Sequence, residues 1–257
     1  MKKLLVLALV LALIFSFTAC GKTDALTVAV DDTYPPMEYV DENGELVGFD
    51  VDMAKALGAE MGREIEFVST GWDGIFAGLS VDQYDCIISS VSMTEDRMPS
   101  MDFSTPYLAN GQVIMVVPGD ASVATMADLA GKKVGVQFQT TADMAADKAL
   151  ESVDFEKVAF DDMTTCLTAM KAGQIDCIVA DMAVAIDAVM KAPEAFVTTS
   201  VQLTNEPIAI AVNEGNTELV EELNKALATL LKNGTLAKIS QDHLGGDYVN
   251  NIDTELR

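Results

Sequence analysis

The chain has 257 residues, half of them hydrophobic and 22% charged, enough for one large domain or two lobes of ordinary size. Its formal charge of −24 repels phosphate backbones and anionic bilayer surfaces, which argues against nucleic acid as a partner. One histidine, and four cysteines without a C-x-x-C pair, disfavour a metal cluster or a Ser-His-Asp group.

Residues 1–19 read as a secretory signal. Lys2 and Lys3 form its basic start, Leu4 to Phe17 an apolar stretch too short to span a bilayer, and Thr18-Ala19 a small-residue end. The run Phe17-Thr18-Ala19-Cys20 resembles a bacterial lipobox, with Phe17 where Leu is commoner. That implies cleavage before Cys20, lipid on its thiol and a tether over residues 20–25, held stably if two or more acyl chains are attached. Of the other cysteines, Cys86 and Cys177 lie in apolar strand runs. With Cys166 they are expected as small core residues, at least one of them a free thiol.

A first strand is predicted over Leu26–Val30, followed by Asp31-Asp32-Thr33-Tyr34-Pro35-Pro36-Met37-Glu38-Tyr39. The prolines forbid a helix and hold Tyr34 at the mouth of the strand. Glu42-Asn43-Gly44-Glu45 signals a hairpin. Asp50 is expected to cap a helix with Val51, Ala54, Leu57 and Met61 on one face and Gly62 at its end. After a strand at Ile65–Val68, Asp73 is the expected cap of a helix over Ile75–Ser80. The single tryptophan, Trp72, thus falls at a strand-to-helix turn level with Tyr34, which suggests a ligand-facing role.

Cys86-Ile87-Ile88 reads as a buried parallel strand. Ser89, Ser90 and Ser92 crowd its end, Thr94 with Glu95 and Asp96 predicts a helix start, and Arg97 adds one guanidinium. Ligands of α/β proteins sit outside the carboxyl ends of strands. A fork flanked by hydroxyls and free N–H groups there suits a carboxylate.

An extended segment at Gln112–Val117 precedes a second β/α series. It comprises a helix at Met126–Ala130, strand Lys133–Gln137, helix Ala142–Leu150 behind Thr140-Thr141, strand Phe155–Phe160 and helix Met163–Lys171 capped by Asp162. Strand Ile175–Val179, ending at Asp181, and helix Met182–Met190 complete it. Leu79–Ile88 and Met170–Val179 match in outline, 91 positions apart, each with a Gln and then Asp-Cys-Ile. With the repeated rhythm, this suggests two similar α/β lobes facing each other. A strand at Ile208–Val212, helices Thr217–Leu231 and Thr235–His243, and a polar tail over 249–257 end the chain.

Seven segments, in order, carry a resemblance: Asp31-x-x-Tyr34-Pro35-Pro36; Gly48-Phe49-Asp50-Val51-Asp52; Trp72-Asp73-Gly74; Ser90 to Arg97; Phe103-Ser104-x-Pro106-Tyr107; Gly131 to Gln137; and Asn233 to Ile239. Together they are similar to the solute-binding proteins of bacterial ABC importers, of the family that takes up polar amino acids. The resemblance implies an α/β, two-lobe, periplasmic-binding-protein-like fold, each lobe a mostly parallel sheet flanked by helices. Lobe 1 would span 26–110 and 206–248 and lobe 2 111–205, with hinge crossings near Ala109–Gln112 and Thr204–Pro207. It implies an extracytoplasmic monomer without cofactor that binds a free L-amino acid and docks on ABC permease subunits in the membrane. By the same resemblance Arg97 holds the ligand's α-carboxylate, helped by Ser92 and Thr141. Asp181 accepts the α-ammonium, helped by Ser90, while Tyr34 and Trp72 flank the side chain and Asp31 reaches its polar end. Met37 departs from the family pattern, replacing an aromatic and softening one pocket wall.

A zwitterion needs one fixed cation and one fixed anion, and Arg97 and Asp181 fall in opposite lobes. Each is costly to bury alone, so one ligand completes both pairs and favours closure. Two other classes stay open on the sequence: a cyclohexadienyl (prephenate or arogenate) dehydratase-like enzyme using Asp31 or Glu38 as acid, and a sensor that docks on a receptor. Asp31, Glu38 and the acidic balance lean towards a basic or amide side chain.

Overall fold

A computed structural model describes residues 25–256. The expected signal segment and Cys20 lie outside the described residues. The first series comprises β1 (Leu26–Val30), β2 (Thr33–Tyr34), β3 (Glu38–Val40), β4 (Leu46–Val47), α1 (Phe49–Met61), β5 (Ile65–Ser69), α2 (Trp72–Ser80), β6 (Cys86–Ile87) and β7 (Met101–Phe103). The second comprises β8 (Gln112–Val116), β9 (Lys133–Gln137), α3 (Thr141–Leu150), β10 (Glu156–Phe160), α4 (Met163–Lys171), β11 (Cys177–Asp181), α5 (Met182–Lys191) and β12 (Val197–Gln202). Then come β13 (Ala211–Asn213), α6 (Thr217–Lys232) and α7 (Thr235–Leu244).

These strands make two five-stranded sheets, ordered β5-β1-β6-β13-β7 and β10-β9-β11-β8-β12, beside a small meander β2-β3-β4. In each large sheet four strands run the same way and one, β13 in the first and β8 in the second, lies antiparallel between two of them. The chain passes between sheets twice, and the first strand after each passage (β8, then β13) joins the new sheet antiparallel. The crossings lie side by side. Leu203 N–H donates to Gln112 O at 2.7 Å, Glu206 N–H to Asn110 O at 3.0 Å, and Ile208 N–H to Leu108 O at 3.0 Å. They approach so closely that a Cβ on Gly111 would run into the Thr204 carbonyl, which is why glycine stands there.

The duplicated turn is a duplicated structure. Asp85 Oδ2 accepts from Thr27 N–H at 2.7 Å and Asp176 Oδ2 from Lys133 N–H at 2.7 Å. Gln83 N–H closes on Gly78 O at 3.0 Å and Gln174 N–H on Ala169 O at 2.9 Å. Each aspartate ties the entry of one parallel strand to the start of its neighbour.

Several local expectations shift. α1 starts at Phe49 behind Gly48, whose φ of 133° and contact with the Met37 carbonyl exclude a side chain. Asp50 therefore stands inside the first turn, not at the cap. Asp73 is likewise within α2, behind Gly71. Thr94 opens hydrogen-bonded turns and no helix, its hydroxyl accepting from Arg97 N–H at 3.2 Å. β12, with its mixed Val and Thr sequence, has no counterpart among the strands expected from the sequence. Thr140 and Asp162 do cap α3 and α4.

The cores follow the apolar faces. Phe49, Met53, Leu57, Leu223 and Leu227 are fully or almost fully buried where α1 meets α6, each contributing about 1.5–3 kcal/mol. Met37 is buried in this core too. Cys86, Cys166 and Cys177 are buried free thiols, and burial pushes Cys166 and Cys177 up to about 12. The segment after 248 is docked: Ala109 N–H donates to Tyr248 O at 2.8 Å, Val249 is buried, and Asn205 Nδ2 donates to Asp253 O at 3.1 Å and Glu255 O at 2.7 Å.

Candidate functional site

Between the sheets lies a cavity of about 290 Å³, lined by Tyr34, Trp72, Ser89, Ser90, Ser92, Arg97, Gln137, Thr140, Thr141 and Asp181. Seven of the eight residues expected to bind a ligand are therefore brought together. The eighth, Asp31, is buried behind Gln137, whose Nε2 donates to Asp31 Oδ2 at 2.8 Å. Met37 does not line the cavity.

The wall from the first sheet is rich in donors. β6 ends after two residues, and Ser90 takes a left-handed φ of 50°, a conformation costing a serine about 1–2 kcal/mol. Two buried carboxyls hold it there. Ser90 N–H donates to Asp50 Oδ2 at 2.7 Å, and the Ser89 hydroxyl donates to Glu38 Oε1 at 2.6 Å while accepting from Asp31 N–H at 2.9 Å. Burial raises Glu38 well above its usual range, and the neighbouring Asp50 charge raises it further. Burial likewise lifts Asp50 to about 6, opposed by the Tyr107 hydroxyl beside it. The two carboxyls thus favour sharing one proton, held towards Glu38.

Arg97 is 7% exposed and sits over two rings, 4.9 Å from the Phe76 centroid and 5.5 Å from that of Trp72. Nη1 donates to Ser92 O at 3.0 Å, whereas Nη2 is buried with no hydrogen-bond partner among the described residues. Burial works against its charge, and Asp181 and Glu206 work for it.

The opposite wall is rich in acceptors. Asp181 ends β11 and is buried; its Oδ2 accepts from the Tyr34 hydroxyl at 2.8 Å and its Oδ1 from Gln112 Nε2 at 2.6 Å. Although it precedes α5, its side chain makes no cap bond and turns into the site. Burial raises its pKa, the nearby Glu206 charge raises it further, and the Tyr34 and Gln112 bonds oppose both. Thr141 begins α3, so free N–H groups of a helix start face the cavity beside its hydroxyl.

Four hydrogen bonds close the sheets' loops on each other. Besides Tyr34–Asp181 and Gln137–Asp31, Trp72 Nε1 donates to Gln139 O at 3.1 Å and Thr164 Oγ1 to Thr33 O at 3.1 Å. The arrangement can hold a small molecule with an anionic end at Arg97 and a cationic end at Asp181. Gln112, Gln137 and Glu206 join the site without having been singled out. Gln137 ends a parallel strand, the position where ligands of such sheets sit, and that rule points to it. Gln112 and Glu206 lie on the crossings, where local sequence carries no signal. His243 stays remote, 2.8 Å from Asp52 on the α1–α7 face.

Residues 26–246 match the family model of bacterial extracellular solute-binding proteins, family 3. The L-cystine-binding protein TcyJ of Escherichia coli (strain K12) is 33% identical over 86% of this chain and 83% of its own. A solved ancestral arginine-binding protein bound to arginine is 38% identical with a TM-score of 0.82, over 86% of this chain and 98% of its own. An ancestral arginine-binding protein solved bound to glutamine gives a TM-score of 0.80 at 38% identity, over 86% of this chain and 98% of its own.

Proposed function

Because the chain belongs to the family 3 extracellular solute-binding proteins, we propose that it captures one free L-amino acid between its two lobes for an ABC importer. Its place is extracytoplasmic. Arg97 takes the α-carboxylate with Ser92 and the Thr141 helix start, and Asp181 takes the α-ammonium. Tyr34, Trp72 and Ser90 shape the space between them. The side chain runs towards Gln137, which releases Asp31 to a basic or amide end. The relatives' names carry cystine, arginine and glutamine, so the side-chain end is where this family varies. Those names describe binding proteins and not enzymes, and the one histidine is engaged far from the cavity. The sequence around Cys20 supports a lipid-anchored monomer whose lobes close on the ligand and present that closure to the permease.

One observation carries this reading: a buried guanidinium with an unpartnered Nη2 faces a buried carboxylate across a lobe boundary. A melting screen of the twenty amino acids, cystine and polyamines tests it. A ligand at about 100 times its Kd adds about 2.7 kcal/mol, a rise of about 5–10 °C in a chain this size. If every amino acid leaves the midpoint unmoved while a polyamine raises it, the substrate class is wrong.

A further inference from the structure

The ammonium end holds more than Asp181. Gln112, on the first crossing, points its amide nitrogen at Thr141 Oγ1 (2.9 Å), Asp181 Oδ1 (2.6 Å) and Glu206 Oε2 (3.3 Å). Glu206 belongs to the second crossing and is 8% exposed. An amide nitrogen has two hydrogens, so three acceptors compete for two protons. The Tyr34 hydroxyl supplies only the far oxygen of Asp181. Asn110, on the same crossing, adds a second amide beside Asp181, so what marks this end is two neighbouring carboxylates, while at the other Arg97 Nη2, nine-tenths buried, has no acceptor. An ammonium group brings a positive charge to the end that holds both carboxylates. Meanwhile the buried Gln112 Oε1, which has no partner, shows that the amide is oriented by what its nitrogen binds.

We propose that Gln112 and Glu206, one on each hinge crossing, are positioning residues that make the site demand an α-ammonium. Glu206 orients the Gln112 amide, which in turn sets the rotamers of Asp181 and Thr141. Its carboxylate also adds a second negative charge behind Asp181, which attracts an ammonium and repels a ligand that carries only a carboxylate. Because both residues ride on the crossings, this discrimination is built into the hinge and not into either lobe. The inference rests on the amino-acid reading above.

The test compares amino acids with analogues lacking the α-amino group, by calorimetry on the full mature chain: L-arginine with 5-guanidinopentanoate, L-glutamine with glutaramate, and L-cystine with 3,3′-dithiodipropionate. The wild-type protein binds one of these amino acids at least 100-fold more tightly than its analogue. Glu206→Gln keeps size and hydrogen-bonding capacity but removes the charge, and lowers that ratio at least tenfold, mostly through the amino acid. Gln112→Met, which removes the donor at similar size without adding charge, lowers it as well. Equal loss for both ligands, or a ratio within twofold of wild type, overturns the proposal and leaves the amino-acid reading intact. Failure of wild type to bind any of the three amino acids, with a melting screen equally negative, sinks that reading and this one with it. Unchanged melting midpoints of both variants exclude misfolding as the cause of a lowered ratio.

Discussion

From the Asp85 turn the first sheet gains a strand of two residues, and from the matching Asp176 turn the second gains one of five. The difference decides what each lobe offers a ligand. Stopping β6 early leaves backbone N–H groups and serine hydroxyls outside the sheet, with Arg97 folded back over them. Continuing β11 carries a single acid, Asp181, to the rim on a rigid strand paired on both sides. One scaffold thus yields a donor-rich wall and an acceptor-rich wall, and the contrast between strand lengths is what would suit the two ends of the proposed ligand.

Removing one wall's charge is the severest challenge to that contrast. Arg97→Ala is expected to abolish amino-acid binding, at about 3–5 kcal/mol or several hundredfold and more, because it strands a buried carboxylate. Asp181→Asn should cost about 2–3 kcal/mol, since an amide oxygen still accepts. Calorimetric losses below about tenfold in either would break the assignment of ends.

Acid sharpens the same comparison. Asp181 must be ionised to hold an ammonium, and its folded pKa is raised by burial and by Glu206. Affinity therefore falls as pH falls, starting above the usual aspartate range. Asp181→Asn should remove that limb from a plot of Kd against pH, while the Arg97 end stays flat.

The shared turn is testable by itself. Asp85 is partly buried and accepts from both the Thr27 amide and its hydroxyl, whereas Asp176 is exposed and serves the Lys133 amide. Water replaces the second more easily. Asp85→Ala should lower stability by about 1–3 kcal/mol, and Asp176→Ala by about 0.5–1 kcal/mol. Melting midpoints that rank the other way would deny the two turns a common role.

The carboxyl pair under Ser89 and Ser90 has no equivalent in the other lobe. Its folded pKa values are raised, so the folded state binds more protons than the unfolded one and stability falls as pH rises. For Asp50 the window runs from 3.8 to about 6, and for Glu38 it begins at 4.5 and extends higher. Glu38→Gln fixes the donor permanently. It should raise the midpoint at pH 8 by a few degrees, gaining about 1.4 kcal/mol for every tenfold by which folding had strengthened proton binding, and change little at pH 4. A midpoint lowered equally at both pH values would refute the shared proton. Last and smallest, Arg63→Ala trims a half-exposed pair with Glu222 far from the cavity and should leave Kd within about twofold.

Much of this was legible in the sequence where the cause is local. Lys133–Gln137 is an apolar run bounded by turn residues, and Asp162 announces α4, so both elements appear where expected. The serine-rich turn and Arg97 could be read because strand ends carry ligands. What failed depended on distant partners. Asp50 looks like a helix cap until Ser90, 40 residues on, claims its carboxylate. Gln112 and Glu206 meet across 94 residues, and only the folded crossings bring them together. The segment beyond 248 is polar in composition, yet its backbone carbonyls find Asn205, as that of Tyr248 finds Ala109, which no periodicity encodes.

That last segment fastens the first crossing at Tyr248 and the second at Asp253 and Glu255. A rotation of the lobes on ligand binding, as proposed above, would strain or slide it and so report the hinge angle from the outside of the molecule. Thr254 is exposed on it, and the native thiols among the described residues are buried and held far above the pH of ordinary labelling. A dye on a cysteine introduced at 254 would give a fluorescent readout of closure without touching the cavity.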